Sequence, residues 1–120
     1  MSKIIYLCIP YSWHPERSFK IANRVASELM LKGNIVFSPI SHSHPISEYM
    51  HDRLQTDHDF WMKQDSELLK RCNEVIVVII GESGMELIKN SKGCQSELRI
   101  AEENNIPVKY LKYYDLKYYE

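Results

Sequence analysis

Two uninterrupted apolar runs constrain this chain most. Ile4-Ile5-Tyr6-Leu7-Cys8-Ile9 stops at Pro10, and Val75-Ile76-Val77-Val78-Ile79-Ile80 stops at Gly81. Neither run alternates with polar residues. A strand with one wet face reads apolar and polar in turn. Unbroken runs belong to strands covered on both faces, as in a parallel sheet flanked by helices. Two weaker segments follow the same logic. Asn34-Ile35-Val36-Phe37 leads into Ser38-Pro39, and Ile106 to Leu111 carries Pro107, which favours a strand start or a sheet edge.

Helical patterns lie between these strands. From Pro15 to Lys32 the apolar residues Phe19, Ala22, Val25, Ala26, Leu29 and Met30 recur at helical spacing. Pro15 suits a first turn, and Gly33 closes the end. A longer helix, or two pieces, is expected from Tyr49 to Cys72, and another from Lys92 to Asn104. The order β-α-β-α-β-α-β with right-handed crossovers predicts an α/β fold. Its expected form is a flavodoxin- or Rossmann-like three-layer sandwich with a four- or five-stranded parallel sheet. All 120 residues are expected to make one domain. The tail from Tyr110 to Glu120 is rich in tyrosine and reads as an edge strand or an interface segment.

Composition narrows the function classes. With 15 Lys+Arg against 16 Asp+Glu, the net charge of -1 argues against a phosphate-driven nucleic-acid binder. No stretch approaches the ~18 apolar residues of a membrane span. The apolar run after Lys3 is too short for a signal peptide. Cys8, Cys72 and Cys94 cannot pair fully and lack metal-ligand spacing, so they read as thiols in a reducing compartment. A cytoplasmic location is the expectation.

Ligands of open parallel sheets bind beyond the carboxyl ends of the strands. That rule selects the loops Pro10 to His14, Ser38 to Ser47 and Gly81 to Gly93, with the turn after Leu111. Two carboxylates on nearby helices are out of place. Asp65 falls on the row Trp61, Asp65, Leu68, Cys72, and Glu97 on the row Cys94, Glu97, Leu98, Ala101. Both rows should face the sheet. A carboxylate on a packing face loses solvation, so it needs a partner or a purpose. Two acids in one cleft titrate apart, one staying protonated while the other serves as a nucleophile, as cleavage of a glycosidic bond through a covalent intermediate requires.

Plainer roles remain open at this point. Glu97 can complement a helix dipole or pair with Lys92 or Arg99, and Asp65 can sit on the surface if its row is rotated. Ser91 can be an N-cap rather than a ligand contact, and Tyr11 can be simple packing. His42 and His44, with His51, Asp52 and His58 after them, fit no standard metal spacing. A polar wall of a pocket is the better reading of His44.

These residues also carry a resemblance. Asp65, then Asn73-Glu74-Val75-Ile76-Val77-Val78, Gly81, Ser91-Lys92-Gly93-Cys94-Gln95-Ser96-Glu97 and Ile106-Pro107-Val108 resemble the nucleoside 2-deoxyribosyltransferase group, which includes the deoxynucleoside 5′-monophosphate N-glycosidases. Pro10-Tyr11-Ser12, Ser41-His42-Ser43-His44-Pro45-Ile46, Trp61 and Asp65 resemble more closely a small bacterial and phage family of unknown function within that superfamily. The resemblance implies Glu97 as nucleophile on the anomeric carbon. Asp65 would be the acid, or would bind sugar and base. Ser91 and the backbone near Gly93 would hold a 5′-hydroxyl or 5′-phosphate, and Tyr11 and Ser12 would line the pocket. It implies a small nucleoside or nucleotide substrate, no metal or organic cofactor, and a homo-oligomer whose neighbour completes the site. The chain departs from the group at Ile80-Gly81-Glu82-Ser83-Gly84, where the transferases carry Asp before Gly. It departs again at Tyr11-Ser12-Trp13-His14, where the hydrolases are glycine-rich.

Overall fold

The computed structural model describes residues 2–114. The expected strands form as β1 (Ile4–Cys8), β2 (Ile35–Phe37), β3 (Glu74–Ile80) and β4 (Val108–Tyr113). They pair in parallel in the order β2-β1-β3-β4, the flavodoxin-like arrangement. Pro107 precedes β4, which is an edge of the sheet. Tyr110 and Tyr113 belong to that edge strand, and the rest of the tyrosine-rich tail, 115–120, lies outside the described residues.

Six helices connect and cover the strands. They are α1 (Pro15–Leu31), α2 (Pro39–Ser47), α3 (Asp52–Gln55), α4 (His58–Leu69), α5 (Gly84–Lys89) and α6 (Lys92–Glu103). The Tyr49 to Cys72 region is thus two pieces, α3 and α4. Two stretches expected as loops hold helices, Ser38 to Ser47 around α2 and Gly81 to Gly93 around α5. In α2, Pro39 takes a first-turn position where its missing N–H costs nothing. At the end of α1, Gly33 has φ +95°, a conformation that favours glycine.

The alternation along β1 builds two cores. Tyr6 and Cys8 join Leu69, Cys72, Val75, Val77, Ile88, Cys94 and Ala101 on one face of the sheet. Leu7 and Ile9 join Ile21, Ala22, Val25, Ala26, Val78 and Ile80 on the other. The unbroken apolar runs are explained by this double cover. One row needs correction. Leu69 is 0% exposed and Leu68 36%, so the inward stripe of α4 runs through Leu69 rather than Leu68. Asp65 keeps its inward place on that stripe. Among the described residues, no helix is long and apolar enough to cross a membrane.

Candidate active site

A cavity of about 420 Å³ opens at the carboxyl end of β1, between the segments that follow β1 and β2 and the starts of α4 and α6. Small-molecule sites have volumes of this order. Ile9, Tyr11, Ser12 and Pro15 line it from the β1 side. Ile40, Ser43, His44 and Ser47 line it from α2. Gln55, Thr56, His58, Trp61, Met62 and Asp65 come from the α3–α4 region, and Lys92, Gly93 and Glu97 from α6. The β1 strand end is where the chain reverses its direction of winding along the sheet, the position at which such folds hold ligands.

Asp65 and Glu97, 32 positions apart in the chain, therefore face one hollow. Glu97 is 6% exposed. Tyr6, on β1, donates its hydroxyl hydrogen bond to Glu97 Oε2. The Cys8 thiol, two residues along the same strand face, lies within 4.8 Å of the Glu97 carboxylate. Among the described residues neither Asp65 nor Glu97 is in an ion pair. Glu74, the other buried acid, has Lys3 at 3.5 Å and Lys109 at 3.2 Å. The contrast is chemical: the buried acid far from the cavity is neutralised by cations, and the two in the cavity are not.

Burial dominates their titration. It raises Glu97 from 4.5 to about 8, with the nearby Asp65 carboxylate adding to the rise. The Tyr6 hydrogen bond and the nearby Cys8 thiol pull the other way, because they favour the charged form. Burial alone raises Asp65 from 3.8 to about 6. The proton is thus held more firmly by Glu97 than by Asp65. Tyr6 in turn is raised well above 10, first by burial and then by Glu97.

Among the described residues two side-chain oxygen atoms are buried without a hydrogen-bond partner, Asp65 Oδ1 and Ser43 Oγ, and both residues line the cavity. Unsatisfied buried acceptors are few in folded proteins, and each calls for a ligand or water. Trp61 donates from Nε1 to the carbonyl oxygens of Leu54 and Gln55, at 3.1 and 3.0 Å. Those bonds pin its indole at the cavity wall. Tyr11 Oη stands 2.6 Å from His44 Nδ1, and His44 Nε2 stands 3.1 Å from Glu16 Oε2.

The expected site residues fare unequally. Tyr11, Ser12, His44, Gly93, Asp65 and Glu97 all line the cavity. Ser91 does not. It is the N-cap of α6, its Oγ accepting from the Cys94 amide at 3.1 Å. Neither Gly81-Glu82-Ser83 nor the end of β4 lines the cavity. Tyr6, Gln55 and Thr56 carry no site expectation from the sequence, whereas Trp61 enters beside Asp65, on its row and in the family resemblance, and His58 only among the histidines weighed for a metal. Tyr6 gives no signal, because tyrosine inside a strand is ordinary.

Among the described residues, one trio has metal-capable atoms within 4.8 Å of one another: Cys8, Cys94 and Glu97. All three are buried. The histidines of the 42–58 region form no such group among the described residues.

None of the curated proteins compared with this chain matches it. A solved structure of 2-deoxyribosyltransferase from the psychrotolerant bacterium Bacillus psychrosaccharolyticus is similar, with a TM-score of 0.62 and 23% identity. The similarity covers 91% of this chain and 72% of that one. At that identity it establishes the shared α/β fold. A family model described as a domain of unknown function, DUF1937, matches residues 3–112, and the chain belongs to that family.

Proposed function

We propose that this protein is an N-glycosidase or deoxyribosyltransferase acting on a nucleoside or nucleoside 5′-monophosphate, with Glu97 as the nucleophile. The observation that carries the reading is the convergence of Asp65 and Glu97, desolvated and in no ion pair among the described residues, on one cavity at the carboxyl end of a parallel sheet. The fold shared with a 2-deoxyribosyltransferase supports it. On this reading the protein works as a cytoplasmic homo-oligomer, without a metal or organic cofactor.

The chemistry follows from charge. Breaking the C1′–N bond develops positive charge on the sugar ring. A carboxylate beside C1′ stabilises that charge and then closes on it as a glycosyl ester. Glu97 must be ionised to do so. Burial opposes ionisation, while Tyr6 and Cys8 favour it. The growing sugar cation supplies the remaining attraction, so the carboxylate is worth most in the transition state. Asp65 Oδ1 and Ser43 Oγ offer unpaired acceptors for sugar hydroxyls or base nitrogens. The Trp61 indole offers a flat wall for a base. Water as acceptor of the glycosyl ester gives hydrolysis, and a second base gives transfer.

The test is release or exchange of nucleobase from a panel of deoxynucleosides and deoxynucleotides, read by mass spectrometry. Glu97→Ala and Glu97→Gln should lose nearly all turnover while staying folded. Turnover equal to wild type in those variants would reject the nucleophile. A second reading, a non-catalytic nucleotide or nucleotide-sugar binding or sensor domain, is favoured by the burial that holds the proton on Glu97. It predicts that bound nucleotide is recovered intact while raising the melting temperature.

A further inference from the structure

Three side chains, two of them in the cavity wall, make a continuous hydrogen-bonded line that the nucleophile does not explain. Tyr11 lines the cavity from the segment after β1, His44 comes from α2, and Glu16 lies in the first turn of α1. The spacings are 2.6 Å from Tyr11 Oη to His44 Nδ1 and 3.1 Å from His44 Nε2 to Glu16 Oε2. The imidazole is the covered middle, its side chain 11% exposed, while that of Glu16 is 63% exposed. Phe19 stacks on the imidazole at 4.4 Å between centroids, and Tyr11 meets its edge at 5.7 Å. The ring is thereby held by a stacked face and by hydrogen bonds at both nitrogens. Neither packing nor solubility needs a buried imidazole fixed so completely between a pocket hydroxyl and an acid.

We infer that Tyr11, His44 and Glu16 form a proton relay that gives a proton to the departing nucleobase and takes one from the incoming acceptor. The inference rests on the glycosidic reading above and adds the group that moves the proton. In the first step His44 is an imidazolium, its Nδ1–H donating to Tyr11 and its Nε2–H to Glu16. The Tyr11 O–H proton passes to a ring nitrogen of the base as the C1′–N bond breaks. The Nδ1 proton refills Tyr11, and C1′ bonds to Glu97. In the second step a water oxygen bonds to C1′ and the C1′–Glu97 bond breaks. The water's proton goes to Tyr11 and the Tyr11 proton to Nδ1, which restores the imidazolium. One acid–base group serves both steps, as reversal of a single mechanism requires. Tyr11 touches the substrate. Glu16 is a positioning residue that fixes the tautomer and stabilises the imidazolium, as a carboxylate does behind other catalytic histidines.

Leaving-group dependence tests the relay. The two probes are a deoxynucleoside and a 2-deoxyriboside of nitrophenol, whose leaving group departs as a stable anion. Tyr11→Phe should lower single-turnover base release about 100-fold, the usual scale of acid catalysis. The same variant should lower the nitrophenolate burst less than about threefold, because that departure needs no acid. Glu16→Gln should lower kcat for the nucleoside and leave KM unchanged. Nitrogen NMR of the neutral imidazole should show His44 as the Nε2–H tautomer, with Nδ1 accepting from Tyr11. Equal losses with both leaving groups, or an Nδ1–H tautomer, would overturn the relay. A wild-type protein that releases neither base nor nitrophenolate would count against the glycosidic function itself, and the NMR spectrum would still decide the order of the hydrogen bonds.

Discussion

Replacing Glu97 with Gln should stabilise the fold in alkaline solution and leave it nearly unchanged in acid. In the folded protein Glu97 titrates at about 8, against 4.5 when unhindered. Below about pH 4.5 both states carry the proton, and the side chain contributes no pH-dependent term. Between the two values the unfolded chain releases its proton and the folded one retains it, so folding stability falls as pH rises. The slope is about 1.4 kcal/mol per pH unit. Across the interval from 4.5 to about 8 the loss is of order 5 kcal/mol, complete once the pH passes the folded value. Gln has nearly the same shape and no charge to lose, and its carbonyl oxygen can accept from Tyr6. The assay is urea unfolding of both proteins across about pH 4 to 9 with a chelator present, comparing extrapolated stabilities. The difference should be within ~1 kcal/mol at the acid end and should grow by several kcal/mol toward the alkaline end. A difference independent of pH would refute the desolvated-acid argument.

Removing the Tyr6 hydroxyl by Tyr6→Phe deletes a donor that favours ionised Glu97, so the alkaline rise of kcat/KM should move to higher pH, read from a pH–rate profile. In wild type, kcat/KM should show an ascending limb as free Glu97 ionises near 8, with any descending limb belonging to the proton-donating relay; a profile with no ascending limb contradicts the assignment. Ser91→Ala should cost about 1 kcal/mol of stability through the lost α6 cap, seen in chemical denaturation, with KM unchanged. Leu69→Ala should cost ~2–5 kcal/mol, against under ~1 for Leu68→Ala, because only Leu69 is enclosed.

What the sequence disclosed follows from how far each cue acts along the chain. The two apolar runs settled β1 and β3, since a doubly covered strand leaves no room for polar residues. The i, i+3 and i+4 spacing from Phe19 to Met30 gave α1 to within a residue at its end. Helix α2 escaped because Ser-His-Ser-His-Pro has weak helical propensity and a proline inside it, and tertiary packing against α1 overrides both. Helix α5 has six residues, too few for periodicity to register. Asp65 and Glu97 were legible because a charge on an apolar stripe violates a local rule. Tyr6 beside Glu97, and His44 between Tyr11 and Glu16, were not legible. Those contacts join residues 91, 33 and 28 positions apart, which no local pattern encodes. Ser91 shows the reverse case: the cue was real, and it marked a helix cap.

The most direct test of Glu97 as nucleophile is to trap its sugar ester. A 2-fluorinated nucleoside slows decay of a glycosyl–enzyme intermediate by destabilising the cationic transition state. Protein incubated with it is digested with trypsin, and peptides are weighed. The peptide Gly93 to Arg99, which holds Glu97, should gain the mass of one fluorosugar, and Glu97→Gln protein should gain none. A sugar adduct on another residue, or rapid base release with no adduct at all, would contradict the account.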